Sequence, residues 1–201
     1  MKVVSPTAEG IAEAVVALRD GEGVLYPTET LYGLGFDPFS EAALTKLYDS
    51  KRRDPREPVL LVIASVEQLG PLVEDVSNKA RAFMNAFWPG PLSLVFNKSE
   101  ALPSLVCGGK QTVCVRWTSS PIAQRLCAAF GGAITSTSAN RSGEPPAQTV
   151  AEADIAGIAI GIDAGILDGT SPSTVLDPET GTIFREGAVS KEAIEAVSRS
   201  L

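Results

Sequence analysis

Short, nearly continuous apolar runs alternate along this chain with segments whose apolar residues recur every three or four positions, and few architectures accommodate that alternation. Gly23-Val24-Leu25-Tyr26 reads as a short buried strand ended by Pro27, and Val59–Ile63, Leu92–Phe96, Thr112–Arg116, Ala133–Thr137 and Ile158–Ile162 read likewise. Helices fit between them. The first runs from about Thr7 to Asp20, with Ile11, Ala14, Val15 and Leu18 on one face and Gly21 as its C-terminal cap. Ser40 caps a second, carrying Leu44, Leu47 and Tyr48, and Ser65 with Gln68 has capping-box spacing for a third. Ala80, Phe83, Met84 and Phe87 form another stripe, stopped by Trp88-Pro89-Gly90-Pro91. Pro121 opens a helix through Ile122, Leu126 and Phe130 that Gly131-Gly132 closes; Thr149 with Glu152 caps a short one, and Ile194, Val197 and Leu201 mark the last. Thr174–Asp177 and Thr182–Arg185 flank Pro178-Glu179-Thr180-Gly181 as a hairpin, which adds antiparallel pairing. The expected fold is α/β: one domain over residues 1–201, built on a twisted mixed sheet flanked by helices.

The chemistry is bounded by a missing residue type. None of the 201 residues is histidine, which removes Ser-His-Asp and Cys-His triads, His-bearing zinc sites and imidazole acid–base catalysis. Any reaction must rely on positioning and electrostatics with Lys, Arg, hydroxyls, carboxylates and bound ions, a restriction that phosphoryl and nucleotidyl transfer tolerate. A formal net charge of −7 argues against a protein that coats nucleic acid, yet leaves room for positive charge concentrated locally on a small anion. Cys107, Cys114 and Cys127 form no C-x-x-C pair and read as small buried hydrophobes, and their odd number suits a reducing compartment. Met1–Pro6 does not resemble a secretory signal, and no stretch approaches the roughly 20 apolar residues that span a bilayer. The expectation is a cytoplasmic protein with no membrane partner.

Several polar clusters stand at the ends of the expected strands. Pro27-Thr28-Glu29-Thr30-Leu31-Tyr32-Gly33-Leu34-Gly35 leaves a strand with two hydroxyls and a carboxylate, where open α/β sheets bind ligands, although the same residues also suit a capped turn. Lys51, Arg52, Arg53 and Arg56 follow a helix C-terminus, where they serve either as a solvated, dipole-offsetting face or as a phosphate site. Ser136-Thr137-Ser138-Ala139-Asn140 offers short hydroxyl and amide groups beside backbone N–H donors, an anion or ribose cradle or simply a polar turn. Arg116 ends an apolar strand, in place to clamp a carboxylate or to make a surface ion pair. Neither G-x-x-x-x-G-K-[ST] nor G-x-G-x-x-G occurs, so a nucleotide site here is neither a P-loop nor a Rossmann turn.

The order of these clusters is more specific than any one of them. PTETLYGLG, K-x-R at Lys51 and Arg53, FWPGPLSLVF from Phe87 to Phe96, VR at Val115-Arg116, STSANRSGEPP from Ser136 to Pro146, PSTVLD from Pro172 to Asp177 and FREG from Phe184 to Gly187 together resemble the TsaC/YrdC family from about Ala8 to Gly187. The likeness is to its single-domain bacterial form. It implies a positively lined cleft on a twisted α/β sheet and a nucleotidyltransferase that makes threonylcarbamoyl-AMP and pyrophosphate from L-threonine, bicarbonate and ATP. The amine is carboxylated, and the carbamate oxygen attacks the α-phosphorus. The product serves modification of the tRNA adenosine next to the anticodon, with tRNA and the downstream threonylcarbamoyl-transfer complex as implied partners.

Carried over by motif, Thr30, Arg116, Ser136 and Ser173 surround L-threonine, while Lys51, Arg53, Thr112, Ser138, Asn140 and Arg185 hold ATP. Lys51 and Arg53 also offset charge developing on the phosphates. Mg²⁺ is expected on the triphosphate, and no residue set is assigned to a protein-held metal. Asp54 stands where many relatives have Pro, Glu57 where Asn or Lys is frequent, and Ser120 where His is frequent, with Arg56 available to replace a phosphate contact. The competing readings are an RNA-binding module of the same fold and a YciO-type paralogue. The net charge, the 6% aromatic content and the retained Lys51/Arg53 and Ser138-Ala139-Asn140 motifs weigh against both.

Overall fold

Each α-helix among the described residues starts on a hydroxyl. In the computed structural model, which describes residues 1–140, 147–153, 155–167 and 171–200, Thr7, Ser40, Ser77, Ser120 and Ser190 accept from the backbone N–H three residues on. They open α1 (Ala8–Arg19), α2 (Glu41–Lys51), α3 (Asn78–Phe87), α4 (Pro121–Phe130) and α5 (Lys191–Ser198). Such caps satisfy N–H groups that a helix leaves orphaned and contribute about 1 kcal/mol each. Arg141–Pro146 of the STSANRSGEPP segment and Leu201 lie outside the described residues.

The strands fall into two mixed sheets where one is expected. The first runs in the order β1 (Lys2–Val4), β9 (Ile158–Ile162), β2 (Gly23–Pro27), β3 (Tyr32–Gly35) and β8 (Thr137–Ser138). The second runs β11 (Ile183–Arg185), β10 (Thr174–Leu176), β5 (Leu92–Asn97), β6 (Thr112–Trp117), β4 (Leu61–Ile63) and β7 (Ile134–Thr135). The β10–β11 hairpin forms as expected. The strand expected over Ala133–Thr137 divides between the sheets: β7 pairs with β4, β8 pairs with β3, and the chain crosses at Ser136.

Other departures have local causes. Tyr32–Gly35 pairs antiparallel with β2, but its two glycines give no alternation to read. They are needed for space, since a Cβ on Gly35 would lie 3.0 Å from the Tyr26 ring. The Ser65/Gln68 spacing yields a single 3-10 turn, Val66–Leu69. Gln68 instead accepts from the Ala64 N–H at 2.7 Å and donates to the Cys127 carbonyl at 3.3 Å, tying the end of β4 to α4. Thr149 accepts from the Glu152 N–H at 3.3 Å and Glu152 from the Gln148 N–H at 2.9 Å, around a turn with no helix among the described residues 147–153.

Two apolar clusters hold the layers. Leu44, Leu47, Phe83, Leu92, Leu94, Val115 and Ile194 belong to the larger one, and Ile11, Leu18, Val24, Tyr26, Leu126 and Ile160 to the one beneath α1 and α4. Strand β2 serves both, because Leu25 faces the first cluster while Val24 and Tyr26 face the second.

The arginine-bearing loop after α2 is clamped to a distant turn. Tyr48 donates its hydroxyl to the carbonyls of Glu57 (3.1 Å) and Leu105 (2.9 Å), and the Val59 N–H reaches the Val106 carbonyl at 2.9 Å. Gly108 completes the fit: its φ is +61°, and a Cβ there would come within 2.3 Å of the Arg56 carbonyl oxygen. Gly108→Ala should therefore cost about 1–3 kcal/mol, read as a fall in urea midpoint. A midpoint equal to wild type would show that the loop and the turn are not mutually dependent.

Candidate active site

The crossing at Ser136 leaves an open cleft between the sheets, a cavity of about 560 Å³. Strand alternation turns Cys114 and Arg116 of β6 toward it while Val113 and Val115 enter the core. Thr30 reaches it from the β2–β3 loop, Ser136 and Ser138 from the crossing, Ser173 and Arg185 from the hairpin side, and Arg53 from the loop after α2. All four residues carried over to L-threonine, Thr30, Arg116, Ser136 and Ser173, thus line one cavity, together with Arg53, Ser138 and Arg185 of the ATP set.

Arg116 is the central cation, 2% exposed. Its Nη1 donates to Thr30 Oγ1 at 3.2 Å, and Thr30 Oγ1 lies 3.0 Å from Thr28 Oγ1. Glu29 approaches from behind the wall, with Oε1 3.5 Å from Arg116 Nε. Sequence reasoning gave Glu29 no role, although it stands inside a motif otherwise assigned to the site. Opposite, Arg185 donates from Nε to the Ser173 carbonyl and from Nη2 to Ser173 Oγ, both at 3.0 Å, and Ser173 Oγ sits 2.8 Å from Ser93 Oγ. A serine carried over to the amino acid is thereby tied to an arginine carried over to the nucleotide.

Arg53 faces the cleft with Nη2 on the Pro58 carbonyl at 3.0 Å and Nε 3.2 Å from Glu57 Oε2, a contact without hydrogen-bond direction. Glu57 therefore sits against the phosphate-assigned cation. Arg56, available to replace a phosphate contact, is exposed and does not line this cavity; its Nε donates to both oxygens of Asp54, at 3.1 and 3.0 Å. Ser120 caps α4 and donates to the Pro27 carbonyl at 3.1 Å, a structural use for that departure.

Two residues carried over to ATP lie elsewhere. Thr112 lines a second cavity of about 320 Å³ with Asn97 and Asp177, on the same face of β6 as Arg116 but four residues along. Lys51 is not the exposed cation that a run of basic residues leads one to expect. It is 2% exposed, with Nζ donating to the carbonyl oxygens of Ser138 and Asn140 and lying 3.4 Å from Asn140 Oδ1, so it holds the serine-rich loop from behind. The cause is helical register: Lys51 shares the buried face of α2 with Leu44, Leu47 and Tyr48, while Arg52 caps the helix in the left-handed region with φ 51°. Cys114 also differs from a plain core thiol, since it borders the cleft; burial pushes it up to about 12, so it stays protonated at neutral pH.

Comparison with known proteins fixes the lineage. The Sua5/YciO/YrdC family model, described as "Telomere recombination", matches residues 16–187. The chain belongs to this family. The threonylcarbamoyl-AMP synthase of Chromohalobacter salexigens is 42% identical over 182 residues, covering 89% of this chain and 98% of the relative. That of Klebsiella pneumoniae is 36% identical over 187 residues, covering 90% and 97%. Sua5 of P. abyssi, solved in complex with L-threonine, superposes with a TM-score of 0.90 at 36% identity over 98% of this chain and 60% of its own length, so the chain spans about 60% of that protein. P. abyssi Sua5 thus shares the fold of this chain over nearly its whole length. Among the described residues, no helix is long and apolar enough to cross a membrane.

Burial, and then the Arg53 charge, lower the Lys51 ammonium from 10.5 to about 8. A lysine depressed in the folded state binds fewer protons folded than unfolded between those values, so its contribution to stability increases as pH rises through that window and is lost as pH falls through about 8. Neutral lysine still has two N–H donors for the two carbonyls. The stability margin of wild type over Lys51→Met should therefore widen from about pH 7 to about pH 10, measured by urea unfolding. A margin flat with pH would place the ammonium in solvent, and one that narrows would show the fold favouring the charged form.

Proposed function

We propose that this chain is an L-threonylcarbamoyladenylate synthase acting in the cytoplasm, with its product feeding threonylcarbamoyl transfer to tRNA. The observation that carries the reading is one cleft in which a buried arginine fork, Arg116 beside Thr30, faces two further guanidiniums, Arg53 and Arg185. A zwitterionic amino acid needs the first and a polyphosphate the others, and acyl-adenylate formation needs both within one chamber. The names of the relatives supply the amino acid.

In this scheme Arg116 takes the threonine carboxylate, with Thr30, Ser136 and Ser173 around the rest of the molecule. Arg53, Ser138 and Arg185 take the phosphates and ribose. Lys51 and Asn140 support Ser138, and Thr112 lies far enough along β6 to meet the remote part of the nucleotide. Bicarbonate carbon bonds the amino nitrogen with loss of water and a proton. A carbamate oxygen then bonds the α-phosphorus as the bond to pyrophosphate breaks. The protein's contribution is orientation of reactants and fixed positive charge, and orientation alone can contribute about 7–11 kcal/mol. The cleft wall is hydroxyl and guanidinium, a donor set unsuited to a protein-held divalent ion, so Mg²⁺ would enter on ATP's phosphate oxygens.

Pyrophosphate should be released from ATP only when L-threonine and bicarbonate are both present. Equal release with alanine or with no amino acid would remove the assigned specificity, and tight RNA binding without release would favour the binding-module reading. Arg116→Lys should raise the threonine KM far more than the ATP KM, because a point charge cannot reproduce the two parallel bonds of the fork. Loss of ATP affinity with the threonine response intact would move Arg116 to the nucleotide.

A further inference from the structure

The pair behind the cleft wall is built unlike a stabilising salt bridge. Arg116 Nε and Glu29 Oε1 are 3.5 Å apart, both sealed from solvent, and neither has a hydrogen-bond partner among the described residues. A buried pair with such loose geometry is a poor source of stability, because desolvation of both ions is not offset by good contacts. Glu29 is nevertheless held in place. Its Oε2 accepts from the Thr118 hydroxyl, whose oxygen accepts in turn from the Ser120 N–H at 3.1 Å, where Ser120 is the N-cap of α4. The Thr118 N–H is bonded to the Ile63 carbonyl at 3.3 Å, and Gln124 Nε2 donates to the Thr118 carbonyl at 2.8 Å. The carboxylate is thus anchored to a helix terminus and directed at one edge of the guanidinium.

A guanidinium on a long side chain can rotate about its terminal bonds, and its hydrogen bonds are directional. With Nε beside Glu29 and Nη1 on Thr30, the edge left for a ligand in the cleft that Arg116 lines is the Nη end. We propose that Glu29 is a positioning residue for the reaction: anchored by Thr118, its carboxylate sets the rotation of Arg116 so that the Nη end is presented to the amino-acid carboxylate. Glu29 does not itself touch the substrate, since it is absent from the cleft lining and Oε1 is sealed. The anchoring has a second consequence. A carboxylate free to swing into the cleft would compete with the substrate for Arg53, Arg116 and Arg185, and the Thr118 bond prevents that.

This inference rests on the reading of Arg116 as the carboxylate clamp, and the experiment separates the two. Binding of L-threonine is measured by calorimetry, and both KM values by pyrophosphate release, for Glu29→Gln, Arg116→Lys and the double variant. Gln keeps the shape and an oxygen for Thr118 but loses the charge. Glu29→Gln should weaken threonine about tenfold or more, shift the ATP KM less than about twofold and leave the melting temperature nearly unchanged. In the Arg116→Lys background the same substitution should cost less than about twofold, because a residue that acts through the fork has no fork to act through. Full additivity in the double variant, or a lowered melting temperature with threonine affinity intact, overturns the proposal. Unchanged threonine affinity in Arg116→Lys overturns the clamp and the proposal with it. Should Glu29→Gln fail to fold, Thr118→Val keeps the charge and frees the carboxylate; it should weaken threonine several-fold, and wild-type affinity in that folded variant is equally fatal.

Discussion

The crossing at Ser136 is the constraint on which the site depends. Its N–H is bonded to the Leu60 carbonyl at 2.7 Å, so the chain is still anchored to the β4 edge as it leaves the second sheet. One residue later it pairs with β3 in the first sheet, with Leu34 opposite Thr137 and Gly33 opposite Ser138. Two sheets joined by so short a strap cannot close face to face. The gap beside the strap is the cleft, and residues from both sheets reach it because the strap belongs to both. Gly33 serves the same geometry, since a Cβ there would lie 3.0 Å from Ser136 Oγ.

Charge around that gap is sorted by what each group is tied to. Arg53, Arg116 and Arg185 each spend part of their donor set on the protein, on Pro58, Thr30 and Ser173 respectively, and remain at the cleft wall. The nearby carboxylates are themselves tethered: Glu29, 3.5 Å from Arg116, by Thr118, and Asp54 by Arg56. Glu57 also reaches a cleft cation, Arg53, and at 54% side-chain exposure its field is weakened by solvent. A protein of net charge −7 can therefore still gather three arginines at one cleft.

The elements were legible in the sequence wherever one face of a segment is apolar. The α1, α3 and α4 stripes and the β5, β6 and β9 runs read correctly because burial on a regular period leaves that mark. Strand β3 was hidden by glycines that exist for Tyr26's ring, and β1 is only three residues long. The division of Ala133–Thr137 between two sheets leaves no periodic trace, since both halves are buried. For the site, motif order named the residues, and the fold shows which of them share a chamber. Lys51 is the instructive case: a lysine in a basic run reads as surface, and only its register with Leu44, Leu47 and Tyr48 says otherwise. Glu29 had no separate signal, because an acidic residue between two threonines looks like a turn until Arg116 is placed beside it.

Without histidine, the chain has no side chain whose ordinary pKa lies near neutrality, and the structure does little to create one in the cleft itself. Cys114 is pushed up to about 12, away from useful nucleophilicity. Lys51, lowered to about 8, is shifted toward neutrality, yet it is engaged with two backbone carbonyls. A site furnished in this way is poorly equipped to move protons and well equipped to hold anions still. That division of labour suits the adenylation step, in which a carbamate oxygen already carrying its charge is the nucleophile and pyrophosphate a stable leaving group, while the proton released when the carbamate forms passes to solvent. What the proposed reaction asks of the protein is mutual orientation and a fixed positive field, and the roles proposed for the tethered arginines beside the two-sheet strap would meet both demands.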